Sequence, residues 1–329
     1  MRGPVTKPAL RGFSLVELII TMVVLGIIAV TAGAMLMPMF RSHQDVERRA
    51  ALVEAAEGAI RRMSRDIRIS VPNRVRVTNT LLVGTGFAIE LIPTADGARY
   101  CTTNAGDCSD LTLLSETLSV TTPDSVFDVL GCFRNTAFVP AVLPGATTAY
   151  RLAVGNADSG IYIALGASAV ITPAGNTITL SRFPNTGTLS CGAASATANS
   201  FNRHRVTLST AAHTFPVASP RHRVFVIEDA AAPVTYICNA TAGTLTRYAG
   251  YKMASGAYSI AAPNQPTDPL ATPLTGATGR LVADNVSACS ALVVEATVQT
   301  SSIVSLSLTL ANSGETVTLV SQVQLDNSQ

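Results

Sequence analysis

The chain has 329 residues and 34.2 kDa, with 47% hydrophobic but only 13% charged residues, about half the usual charged share, which argues against an ordinary cytosolic enzyme. Mean hydropathy of +0.34 is too low for a polytopic membrane protein and suits one membrane helix on a soluble domain, and abundant Leu, Val, Ile and Ala exclude general disorder. Charge is uneven: residues 1–12 carry +3 (Arg2, Lys7, Arg11), whereas residues 72–329 hold 13 basic and 15 acidic side chains, a balance that does not suit a nucleic-acid binder.

After the basic leader MRGPVTKPALRG, residues 18–37 form a run of 20 without a charge. At 1.5 Å per residue the run spans about 30 Å, the depth of a bilayer core. Positive charge before the run places residue 1 in the cytoplasm and the remainder outside. Three readings fit. One is a secretory signal peptide cut at Ala32-Gly33-Ala34, which leaves a mature terminus at Met35. Another is a simple anchor; the third keeps the apolar helix and removes the leader before it. Glu17 separates them, because an ionisable group within an apolar segment is costly and functional by default. Its structural alternative is a capping box, Ser14-x-x-Glu17, in which both side chains bind free amides at a helix start.

The string Gly12-Phe13-Ser14-Leu15-Val16-Glu17-Leu18 closely resembles the prepilin signal of type IV pilins and type II secretion pseudopilins. The resemblance implies that a prepilin peptidase cuts after Gly12 on the cytoplasmic side and N-methylates Phe13. It implies that Glu17 pairs with the terminal amine of a neighbouring subunit. An acid and an amine that are each costly in hydrocarbon are tolerable together.

Residues 41–71 continue the helix. Val46, Val53, Ile60 and Ile67 recur every seven residues, beside Ala56 and Met63, as one apolar stripe. Asp45–Arg49 and Glu57–Arg61 are i,i+4 pairs of favourable orientation. Pro38 predicts a kink near Leu36 and Met37, and Pro72 an end at Val71. From Phe13 such a helix has about 59 residues and is roughly 88 Å long. The stripe serves either head packing or a coiled-coil dimer; Arg49 and Ser70 on its second row favour the head. Arg61, Arg65 and Arg68 mark a further face, read as solvated with Asp66 nearby rather than as a DNA or partner contact.

Arg62-Met63-x-Arg65-Asp66-Ile67-Arg68, Val234-Thr235-Tyr236-Ile237-Cys238 and Asn285-Val286-Ser287-x-Cys289 resemble large minor pilins and J-type pseudopilins, MshO-type MSHA pilus biogenesis proteins among them. The implied architecture is α+β, a pilin-like lollipop: a leader over 1–12, a membrane and filament-core helix over 13–40, an amphipathic continuation over 41–71, and an antiparallel β-rich periplasmic head over 72–329. The implied function is a minor pilin of an MSHA-like type IV pilus, with a type II secretion pseudopilin or a tip adhesin or DNA-uptake pilin as alternatives. Implied partners are the prepilin peptidase, other major and minor pilins through the N-terminal helix, and the bacterial inner membrane.

Strand signals in the head fall at 75–83, 87–93, 161–164, 176–182, 223–228, 234–238, 292–299, 302–311 and 315–325. Asn312-Ser313-Gly314 marks a turn before the last, and 261–279 reads as loop. Cys101, Cys108, Cys132, Cys191, Cys238 and Cys289 all lie beyond the membrane run, where oxidation is permitted. They allow fifteen pairings; the simplest follows chain order, 101–108, 132–191 and 238–289. A zinc site is the rival, but the sequence has no C-x2-C and no paired Cys/His spacing. No catalytic, metal or cofactor-binding residue is assigned and no enzymatic activity is expected. His204 and His222, in the Arg-His-Arg triplets 203–205 and 221–223, read as solvated charges that guard strand edges.

Overall fold

A computed structural model describes residues 14–71, 75–81, 83–102, 116–155, 170–173, 175–183, 203–219, 221–229, 233–251, 277–294 and 303–325. The fold is α+β: one long N-terminal helix and a head of antiparallel sheets. Helix α1, Leu15–Arg68, is a single 54-residue element about 81 Å long that continues through Pro38. It ends four residues after its last basic turn begins, at Ile69, whose N–H bonds Arg65 O at 3.2 Å. The exit is fixed by Val71 N–H to Ile92 O at 2.8 Å and by Thr94, which donates to Ile69 O through both N–H and Oγ1. The helix therefore stops before Pro72, which lies outside the described residues.

Among the described residues fifteen strands follow. β1 (Arg76–Thr78), β2 (Gly86–Leu91), β10 (Val234–Asn239), β11 (Thr244–Ala249) and β12 (Thr278–Ala283) form a sheet in that order. β13 (Val286–Val294), β14 (Ile303–Asn312) and β15 (Glu315–Gln324) form a meander. These two sheets and α1 share one core, in which Leu52, Ala56, Ile60, Met63 and Ile67 meet Leu306, Leu308, Leu310 and Val323. The stripe works as the heptad spacing suggests, but only from Leu52; Val46 is 66% exposed. Along β14, Val304, Leu306, Leu308 and Leu310 are buried and alternate with Ser and Thr, the pattern of a sheet with one wet face. Ser313 (φ 50) and Gly314 (φ 92) close the β14–β15 hairpin, and positive φ at both positions defines the two-residue type I′ turn.

Between β2 and β10 the chain builds a third sheet: β3 (Asp96–Tyr100), β4 (Val126–Leu130), β5 (Gly145–Thr147), β6 (Tyr150–Val154), β7 (Ile178–Phe183), β8 (Arg203–Leu208) and β9 (Arg223–Glu228). Their order is β5-β7-β8-β4-β3-β9-β6. They have their own core, with Phe127, Phe133, Phe138, Phe215, Leu152 and Val206 among its members. A third cluster, with Val71, Ile92, Ala153, Ile171, Ile227 and Tyr251, joins this inserted sheet to the helix-bearing base.

The strand expected at 161–164 lies outside the described residues. Of the strand expected at 292–299, residues 292–294 are the end of β13, which begins earlier, at Val286, and 295–299 lie outside the described residues. Part of the expected loop, Thr278 onward, is β12. The solvated-edge reading of residues 203–205 is also corrected. β8 lies between β7 and β4, not at an edge, and His204 is 2% and Arg203 7% exposed. Asp128, fully buried on β4, draws them in: it accepts from Arg205 Nε at 2.6 Å and Nη2 at 3.0 Å, with Arg203 Nε at 3.5 Å.

Candidate processing and assembly segment

Gly12 and Phe13 lie outside the described residues. Ser14 is the N-cap of α1 in extended geometry (φ −73°, ψ 140°), and its carbonyl accepts from Glu17 N–H at 3.0 Å and Leu18 N–H at 3.1 Å. Its side chain makes no cap bond. The capping box is thus not formed. The structure places Glu17 exposed in the first helical turn, and among the described residues no hydrogen bond or ion pair reaches its carboxylate.

From Glu17 onward the helix is built for an apolar surrounding. Leu15–Met35 has mean hydropathy 2.6 and none of it is buried against the rest of the chain. Its few hydroxyls are satisfied within the helix: Thr21 Oγ1 donates to Leu18 O at 2.9 Å, and Thr31 Oγ1 to Ile27 O and Ile28 O at 3.0 Å. A Cβ at Gly26 or Gly33 would meet no atom within 4 Å. Between residues 15 and 51 no described side chain is buried, so the described parts of this stretch stand bare of the head.

The other end of α1 is locked. Asp66, 13% exposed, accepts from Tyr236 OH at 2.7 Å and Arg247 Nε at 2.8 Å. Burial first, then the neighbouring Asp66 carboxylate, pushes the Tyr236 phenol above its ordinary range, so it remains a donor. Asp66 therefore faces the head, while Arg61, Arg65 and Arg68 are exposed. Sequence reasoning missed this anchor; Asp66 adjoins Ile67 and lies three residues after Met63, which was its only signal. On the outer part of the helix Asp45 pairs with Arg48 at 3.2 Å rather than with Arg49, and Glu57 with Arg61 at 2.7 Å.

The structure brings Cys238 and Cys289 together as a disulfide across 51 residues, tying β10 to β13. At Gly86 (φ +143°) a Cβ would lie 2.0 Å from Cys238 O and 3.1 Å from Cys289 Sγ, so only glycine admits this crossing. Cys101 and Cys132 are disulfide-bonded; Cys108 and Cys191 lie outside the described residues. Among the described residues no group of three or more His, Cys, Asp or Glu side chains could hold a metal ion.

Residues 9–33 match the prokaryotic N-terminal methylation motif. No curated protein and no solved structure matches the chain. The motif supports a type IV pilin-like or pseudopilin subunit, and with the apolar helix it fits membrane anchoring.

Proposed function

We propose that this chain is a minor pilin: a structural subunit, without catalytic activity of its own, that assembles into or primes the tip of an MSHA-like type IV pilus. The observation that carries the reading is the continuous α1, which bears the methylation motif at one end and is locked into the head at the other. A peptidase cut between Gly12 and Phe13 leaves Glu17 five places into the mature chain, positioned to meet the new amine of a neighbour. Before assembly the helix crosses the inner membrane with residue 1 cytoplasmic and the head periplasmic.

Size favours a tip position. Packed helices lie about 8–10 Å apart, whereas a head of about 258 residues has a diameter of roughly 45–50 Å. Repeating that head along a thin fibre is difficult, and a terminal subunit has none above it. Mass spectrometry of sheared pili is expected to find an N-methylated Phe13 terminus and an abundance far below that of the main subunit. A terminus at Met35, abundance equal to the main subunit, or recovery only with a secretion pseudopilus would each overturn this reading.

A further inference from the structure

Strand edges in this head differ sharply in how they are guarded. β1 and β5 have only three residues each. β6 is covered by residues 170–172, through Val154 N–H to Val170 O at 3.0 Å and Thr172 N–H to Leu152 O at 2.9 Å. β12 has six residues, carries Arg280 and is bulged against β11. β13 is capped by one side chain: Asn79 donates to Ala291 O at 2.7 Å and accepts from Ala291 N–H at 3.0 Å, imitating a strand. β15 has none of these protections. It is ten residues long, residues 316–324 carry no charge and no proline, and among the described residues no hydrogen bond from outside β14 reaches its backbone.

The register tells which backbone groups are open. The two-residue turn makes Asn312–Glu315 the closing pair, and bonded pairs alternate from there. The N–H and C=O of Thr316, Thr318, Val320, Gln322 and Gln324 therefore point away from β14. The Asn79 cap agrees with this phase: Ala291 pairs with Leu306 and Leu306 with Ser321, so Ala291's free groups face outward, where Asn79 binds them. Such an open row is a template for a further strand.

We infer that the β15 edge receives an extended, uncharged strand from the neighbouring subunit of the same filament. This rests on the minor-pilin reading above. The occupant is neutral because residues 316–324 offer no charge to pair with, and about nine residues long because the edge is roughly 30 Å. It belongs to a helix-packed neighbour because β15 lies directly on α1, sharing the core of Leu52 and Ala56 through Val317, Val323 and Leu325. A subunit that packs on the bare part of α1 brings its head alongside this edge. A second copy paired antiparallel through the same edge does not fit. Its twofold axis along the sheet normal would reverse α1, which lies on the sheet, and the two helices could not enter one membrane in the same direction.

Two variants of the full-length chain test the inference in cells that assemble the filament. Thr318→Pro removes an outward donor while sparing the β14 ladder, and Val320→Lys puts a charge on a side chain that is 71% exposed. Each is expected to lower recovery in sheared filaments at least tenfold, with Phe13 processing, the Cys238–Cys289 disulfide and the melting temperature unchanged. A photo-reactive phenylalanine analogue at residue 320 is expected to yield an adduct with a different filament subunit. Adducts only with a second copy, or recovery of both variants within twofold of wild type, overturn the inference and leave the minor-pilin reading intact. Wild-type chain absent from sheared filaments overturns both.

Discussion

The imidazole of His204 is 2% exposed, lies against the Phe133 ring at 6.0 Å and accepts Phe133 N–H at Nδ1 over 3.2 Å. Burial first, then the Arg182 guanidinium, lowers its pKa below the ordinary 6.5, with Asp96 opposing. Above pH 6.5 folded and unfolded chains both hold it neutral. Below that value the unfolded chain takes up a proton that the folded sheet refuses, so stability falls with acidification until the folded pKa is passed. Melting temperature is expected to drop from pH 7.5 to pH 5, and His204→Gln to flatten that slope; an unchanged slope would remove His204 as the cause. Asp66 is a second test at this scale. Asp66→Ala leaves Arg247 and Tyr236 without their acceptor in a partly buried site, a loss of about 2 kcal/mol. Glu57→Ala breaks only an exposed pair with Arg61 and is expected to cost under about 0.5 kcal/mol. Urea unfolding midpoints compare the two.

At the scale of elements, one stripe on α1 has two fates. Met63 is 1% exposed inside the base core and Val46 is 66% exposed. Met63→Ala is expected to cost about 2–5 kcal/mol through lost burial and a cavity; Val46→Ala is expected to leave the urea midpoint unmoved. The helix was legible because its apolar and charged residues repeat at the helical period, and β14–β15 because Leu alternates with Ser and Thr before a Ser-Gly turn. β4, β6 and β8 were not. Asp128, Arg151, Arg203 and His204 interrupt their apolar pattern, and what makes those charges acceptable lies far along the chain: Asp128 meets Arg205, 77 residues away, and Arg151 meets Asp229, 78 away. The first half of β13 was not legible because Ser287, Ala288, Ser290 and Ala291 give a weak periodic signal, while what holds it is distant: β14, Asn79 and Cys238. In the N-terminal segment the sequence alone distinguished Glu17; the structure added that Ser14 does not cap with it and that Asp66 holds the opposite end of the helix.

At the scale of the molecule, the inserted sheet leaves and re-enters the base at one place, since Leu91 on β2 pairs with Val234 on β10. Replacing residues 95–232 with a four-residue turn is expected to leave the Cys238–Cys289 disulfide and a single cooperative melt, read by non-reducing mass mapping and calorimetry. A chain that fails to form that disulfide would mean that the base depends on its insertion. The nesting also sets an order in time. Synthesis runs from the N-terminus at about 5–20 residues per second, and β14 and β15, which share one core with Met63 and Ile67, begin only about 240 residues or more after Met63. For roughly 10–50 s the growing chain carries the apolar flank of α1 without its main cover, while the inserted sheet, contiguous in sequence, already has all its strands. The interval exposes the base, not the insertion, to wrong contacts, and places the greatest need for a holding chaperone on residues 52–67.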